Sequence, residues 1–177
     1  MKVIYLYTDG ACSGNQYDQN KGGWGAILKY GEHTKEMYGS AINTTNNIME
    51  LTAMIEGLRA IKDPQVHVEV YSDSAYIVDC IIKKWYVNWQ KNGWKTSKKT
   101  PVENKELWVD LLNEINRLSK VELFKIKGHL DFKKTADVKK WYDKFKSQKS
   151  IPFDEFLYIA KMNHAVDALA NKGIDEI

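Results

Sequence analysis

Apolar positions along the chain switch between two periods, and the switches divide it into elements. Val3-Ile4-Tyr5-Leu6-Tyr7 is an unbroken apolar run of strand length, as expected for a strand covered on both faces. A Gly- and Asn-rich loop is expected from Gly10 to Gly23. Trp24 to Tyr30 and Thr34 to Ile42 predict two more strands, with Gly31-Glu32-His33 as the turn. The period then lengthens. Asn43-Thr44-Thr45-Asn46 supplies capping residues, and Leu51, Met54, Ile55, Leu58 and Ile61 recur at helical spacing until Asp63-Pro64. Val66, Val68 and Val70 alternate with His67, Glu69 and Tyr71, which predicts a half-buried strand. Ser74 to Trp85 predicts a helix with Ile77, Cys80, Ile81 and Trp85 inward. A short helix around Asn88 stops near Gly93, and a basic loop runs from Lys95 to Glu103. Asn104 is placed to cap a helix carrying Leu107, Trp108, Leu111, Leu112, Ile115 and Leu118. Val121 to Ile126 is the last strand.

Three leading strands fit an antiparallel meander. The later two reach the sheet through helical crossovers, so they pair in parallel with right-handed connections. The expectation is one α/β domain over residues 1–177, a five-stranded mixed sheet flanked by helices. In open α/β sheets, sites gather at the carboxyl ends of strands. Asp9, Asp73 and His129 fall at such ends, and Glu50 enters from the first turn of a helix. Residues 130–162 stand apart, between the last strand and the helix bearing Asp167. Val138, Trp141, Tyr142 and Phe145 predict a basic amphipathic helix there, and Phe153 to Ile159 begins another.

Composition narrows the class. A chain of 177 residues that is 44% apolar suits one domain with a full core and excludes disorder. No segment approaches the apolar length of a membrane span, and a strand begins at the second or third residue, leaving no room for a signal peptide or a preceding domain. Two cysteines, Cys12 and Cys80, form neither a disulfide framework nor a zinc spacing, which points to a reducing compartment, the cytoplasm. The net charge of +3 is unevenly spread. Residues 83–105 carry seven lysines against one glutamate, and residues 120–149 carry ten lysines against four acids. Basic surfaces beside an acidic centre suit a polyanion; solvated lysine faces are the plainer alternative.

Carboxylates are costly to bury without compensation. Asp9, Glu50, Asp73 and Asp167 therefore ask for cations, and four carboxylates suffice for two Mg²⁺ ions, the equipment of a two-metal phosphodiesterase. Each has an ordinary alternative: a turn aspartate for Asp9, a capping box for Glu50, an N-cap for Asp73, a solvent-facing helix residue for Asp167.

The motifs around these acids resemble the type 1 ribonuclease H family in its free-standing cellular form. They are Tyr7-Thr8-Asp9-Gly10-Ala11-Cys12-Ser13-Gly14-Asn15, Gly22-Gly23-Trp24-Gly25-Ala26, Thr45-Asn46-Asn47-Ile48-Met49-Glu50-Leu51 and Tyr71-Ser72-Asp73-Ser74. Further along, Trp85 to Trp108 resembles the family's basic protrusion (83–105), followed by Lys127-Gly128-His129 and Asn163-His164-Ala165-Val166-Asp167-Ala168-Leu169-Ala170. The resemblance spans nearly the whole chain except about thirty residues from Leu130 to Met162. It implies the ribonuclease H-like fold with an extra helical insertion over 130–162. It also implies cleavage of the RNA strand of RNA–DNA hybrids with Mg²⁺ or Mn²⁺, leaving 3′-hydroxyl and 5′-phosphate ends. Asp9, Glu50, Asp73 and Asp167 would be the metal ligands, and two metals about 4 Å apart can serve both ends of an in-line displacement. His129 would be an auxiliary in proton exchange or product release.

The same resemblance assigns Cys12, Asn15, Asn47 and Glu50 to the RNA minor-groove edge, although Cys12 also reads as a small core residue. Trp85 and Trp89 would form the DNA-strand platform, with Trp85 equally readable as core. Thr45 and Asn104, with Thr96 and Ser97, resemble a DNA-phosphate pocket, and Lys91, Lys95, Lys98 and Lys99 would add sequence-independent affinity. Two features depart from the family. Ala75 stands where a longer RNA-contacting side chain is common, and His129 and Asp167 are far apart in sequence. The lysines of 130–162 are candidates for contact with a hybrid strand; a merely packed surface insertion is the alternative. The rival classes are a non-catalytic hybrid-binding module, disfavoured by four retained carboxylates, and a DNA resolvase or transposase, disfavoured by the tryptophan-rich basic protrusion. A monomer is expected.

Overall fold

The computed structural model describes residues 1–14 and 19–177. Five strands form one sheet in the order β3-β2-β1-β4-β5. They are β1 (Lys2–Ser13), β2 (Lys21–Tyr30), β3 (His33–Ile42), β4 (Val66–Ser72) and β5 (Lys120–Lys125). β1, β2 and β3 pair antiparallel, while β4 pairs in parallel with both β1 and β5. The expected mixed α/β sheet is therefore present. Among the described residues six helices accompany it: α1 (Asn46–Arg59), α2 (Ala75–Ile82), α3 (Trp85–Lys91), α4 (Lys105–Arg117), α5 (Thr135–Phe145) and α6 (Phe153–Asp175).

Alternation along the strands builds two cores, one per face. Leu6, Ala26, Val66, Val68, Val70 and Leu123 point to one face, where Leu51, Met54 and Leu58 of α1 and Trp108 and Leu111 of α4 cover them. Tyr7, Ile27, Tyr71 and Phe124 point to the other, under Val138 and Phe145 of α5 and Phe156, Ile159 and Val166 of α6. Tyr7, Tyr71 and Phe124 are register partners on β1, β4 and β5, and their rings stack with centroids 5.5 and 5.3 Å apart.

Several expectations change. β1 does not end near Asp9: its pairing with β2 continues to Ser13↔Lys21, so much of the expected Gly10–Gly23 loop is strand. Glycine at β1 and β2 positions suggested a loop, but those glycines admit helices at close range. β4 is not half-buried, because α5 and α6 cover its second face; only His67 is partly open. The first helix stops at Arg59, so Ile61 is buried just beyond it. The second stops at Ile82, and Trp85 is 44% exposed rather than inward. Asn104 occupies the N-cap position of α4 in a left-handed conformation, with no side-chain capping bond. Phe153 to Asp175 is one continuous helix, so the segment begun at Phe153 and the helix bearing Asp167 are the same element.

Candidate active site

The site forms where β1 and β4 part. Their parallel pairing stops at Thr8↔Ser72, and the next residues are Asp9 and Asp73. Asp9 stays in strand through β2, while Asp73 leaves β4 ahead of Ser74, which caps α2 by accepting from the Ile77 N–H. The N-cap reading of Asp73 is thereby replaced. Thr45 caps α1 in the same way, accepting from Ile48. Glu50 then lies in the second turn rather than the first, and Ile48 occupies the position a capping box would need.

Gly10 sets how close α1 comes to β1. A Cβ at Gly10 would lie 2.5 Å from the Glu50 amide nitrogen, so any side chain there would push Glu50 from Asp9. Gly25 serves α6 similarly: a Cβ would lie 2.6 Å from the Val166 carbonyl oxygen, beside Asp167. The third close approach is Gly128, where a Cβ would meet Asp73 Oδ2 at 2.5 Å.

Asp9 and Glu50 are buried, at 2% and 4% exposure, and Asp73 is half-buried. One carboxylate oxygen from each lies within 4.8 Å of the others. Burial first, then the Glu50 and Asp73 charges, push the Asp9 carboxyl far up. Burial and Asp73 likewise raise Glu50, to about 8. Asp9 Oδ1 accepts from the Gly10 N–H at 2.9 Å, but Asp9 Oδ2 and Glu50 Oε2 are buried without a hydrogen-bond partner among the described residues. Clustered hard oxygen donors, two of them orphaned, fit a divalent cation of the Mg²⁺ type.

Asp167, half-buried on α6, faces the same open cleft as these three acids and adds to the upward push on Asp9. His129 lines the cleft from the β5 side, exposed and with φ of 54°, a left-handed conformation uncommon for non-glycine residues. Cys12 lines the opposite side; it is exposed, not core, with Sγ 3.8 Å from the Thr44 carbonyl oxygen. Asn15 lies outside the described residues. Asn47 is half-buried, and its neighbour Asn46 lines the cleft instead.

Residues 83–105 are more structured than their sequence suggested, with α3 and a bridge between Lys95 and Pro101. Trp89 is half-buried between Trp94 and Trp108, at 6.2 and 5.6 Å between centroids, so it supports the protrusion from within. Trp85 is exposed with the Lys83 ammonium over its ring. Lys91, Lys95, Ser97, Lys98 and Lys99 are exposed, and Thr96 Oγ1 bonds Thr100 Oγ1 at 2.7 Å. Asn104 is half-buried.

Three residues not singled out from sequence belong to the site. Buried Asn163 donates to Asp73 Oδ2 at 3.4 Å, Asn171 lines the cleft while donating to the Asp167 carbonyl, and Asn46 completes the rim. Asn163 lay within a quoted motif, but an amide on a helix carries no signal of what it will reach.

The RNase H family model matches residues 1–149. A ribonuclease H from Clostridium botulinum is 50% identical over 131 residues, covering 74% of this chain and 87% of that protein. One from Syntrophomonas wolfei is 54% identical over 129 residues, covering 73% and 86%. Among solved structures, LC9-RNase H1, described as a type 1 RNase H with the type 2 active-site motif, matches with a TM-score of 0.63 and 30% identity. That match covers 72% of this chain and 64% of that one. LC11-RNase H1, solved in complex with an RNA/DNA hybrid, shares the fold over 98% of this chain and 97% of its own, with a TM-score of 0.60 and 21% identity. The family match ends before α6, so it is the fold that brings Asp167 to the other three acids.

Proposed function

The chain belongs to the ribonuclease H family, enzymes that degrade the RNA of RNA/DNA hybrids, and we propose that it is an endonuclease that hydrolyses the RNA strand to 3′-hydroxyl and 5′-phosphate ends by a two-metal mechanism. One observation carries this reading. Four carboxylates from β1, α1, the end of β4 and α6 face one cleft, with two buried oxygens left unpartnered.

Asp9, Glu50 and Asp73 would hold the first ion; Asp9 and Asp167, on the open side, would share the second. Mg²⁺, with Mn²⁺ as a substitute, supplies charge for the phosphate oxygens and lowers the pKa of an attacking water. Asn163 orients Asp73. His129, exposed at the rim, exchanges the departing proton with solvent. Cys12, Asn46 and Asn47 would read the 2′-hydroxyl along the RNA minor groove, an edge to which the family resemblance also assigns Asn15.

The DNA strand then falls towards residues 83–105. Exposed Trp85 forms the flat contact, while Trp89, packed on Trp94 and Trp108, steadies the segment. Thr45, Thr96, Ser97 and Asn104 take a DNA phosphate, and Lys95, Lys98 and Lys99 add salt-sensitive attraction. No helix among the described residues is long and apolar enough to cross a membrane. A monomer in the cytoplasm fits the two free cysteines and the hybrid substrate.

The test offers labelled hybrid, double-stranded RNA and duplex DNA to the protein with Mg²⁺. Cleavage of the hybrid alone, lost in Asp9→Asn, is the expected result. Cleavage of duplex DNA, or hybrid cleavage that survives Asp9→Asn, would overturn the reading.

A further inference from the structure

Three ammonium groups converge on one indole in α5. The Nζ atoms of Lys144, Lys127 and Lys140 lie 4.5, 5.2 and 5.2 Å from the centroid of the Trp141 ring. All three lysines are exposed, and Trp141 is half-buried against the α5–α6 core. A ring attracts a cation only weakly at an exposed site, and three like charges around one ring repel one another. No carboxylate within ion-pairing distance relieves them among the described residues. The nearby Asp143 is already engaged by Lys139 and Lys146. The cluster is therefore preassembled and uncompensated, as an anion site is.

Its location supplies the anion. Lys127 is separated from cleft-lining His129 only by Gly128, which packs against Asp73. The cluster therefore begins beside the catalytic acids, on the sheet face opposite α1 and α4. Spacing on α5 carries it outward: Lys140 and Lys144 are one helical turn apart and flank Trp141.

We infer that Lys127, Lys140 and Lys144, gathered on Trp141, bind backbone phosphates of the hybrid where it runs past His129, extending the cleft to a side that the protrusion does not serve. This rests on the proposed hybrid substrate and deepens it. Phosphate contacts carry no sequence information, so the site adds grip and register without changing which nucleotide is cut. It also gives residues 130–162 a role in binding as well as packing.

The test measures hybrid binding across salt concentrations in the full chain carrying Asp9→Asn, which keeps the hybrid intact. Each phosphate contact contributes about 0.9 to the slope of log affinity against log salt for a duplex. Lys140→Ala/Lys144→Ala is expected to lower the slope by about 1.8, and Lys140→Arg/Lys144→Arg to restore it. Lys35→Ala/Lys62→Ala removes equal charge from two exposed lysines elsewhere and is expected to leave the slope within about 0.3 of the parent. A slope unchanged by the α5 pair, or lowered equally by the control pair, overturns the inference. Failure of the whole reading looks different: the chain with Asp9 intact would then not cut hybrid at all.

Discussion

Asp9 and Glu50 face each other in a space that burial makes hostile to charge, so the metal-free protein must hold protons there that the unfolded chain would release. Their folded pKa values are raised above the unfolded carboxylate values near 4. A raised carboxyl contributes stability that is complete below its unfolded pKa and lost as pH climbs through the folded one. In chelator, the melting temperature should therefore fall between about pH 5 and pH 8, and saturating Mg²⁺ should recover it at the upper end. Asp9→Asn removes one of the two carboxyls that folding must protonate. It should flatten that fall and raise the melting temperature in chelator at pH 8 by about 2–4 °C for each kcal/mol of that cost removed. Calorimetric scans of both proteins across pH check this, and a melting temperature that rises with pH in chelator would refute it. The same residues show what sequence reveals at this scale. Acids beside small, specific neighbours were legible as one candidate site, and the four do share one cleft. Asn46, Asn163 and Asn171 were not, because an amide becomes a positioning group only through what it meets in space.

Among the elements, β4 was the hardest to read. Alternating Val66, Val68 and Val70 with His67, Glu69 and Tyr71 suggested water on one face, yet Glu69 and Tyr71 are buried. Lys149, just after α5, resolves the charge by reaching Glu69 Oε1 at 2.5 Å, with Tyr71 Oη at 3.5 Å. A partner eighty residues away cannot be seen in a local period. Breaking a buried pair from one side leaves a bare charge and costs about 3–5 kcal/mol, whereas replacing both partners with apolar groups is often neutral. Lys149→Met should thus destabilise by about that amount in urea melts, and Glu69→Leu/Lys149→Met should recover most of it. Equal loss in the single and double variants would mean that the lysine stem matters and the pairing does not. Helices were easier, since periodicity and Thr45 marked α1 at once. Asn104 misled only in mechanism, holding the start of α4 by its left-handed backbone instead of its side chain.

At the scale of the molecule, strand order and pairing followed from element order, because crossover length and handedness leave few topologies. The route to Asp167 did not, since nothing local announces that one helix runs unbroken from Phe153 to Asp175. That helix covers Tyr7, Ile27 and Tyr71 as well as carrying Asp167. A chain ending at residue 149, where the family match stops, should therefore fail to fold cooperatively as well as lack activity. Loss of a sharp thermal transition, with dye binding to the uncovered face, is the expected signature; a cooperative melt in that fragment would refute it. The parting of β1 from β4 after Thr8 and Ser72 has a kinetic meaning. Strand pairing itself, continued on the β2 side, holds that fork open, and it cannot close without forcing Asp9 onto Asp73. A divalent ion would find its candidate receptor already standing. Its capture would be paced by the water such an ion gives up and by the protons the acids release, with no opening motion of the chain before it.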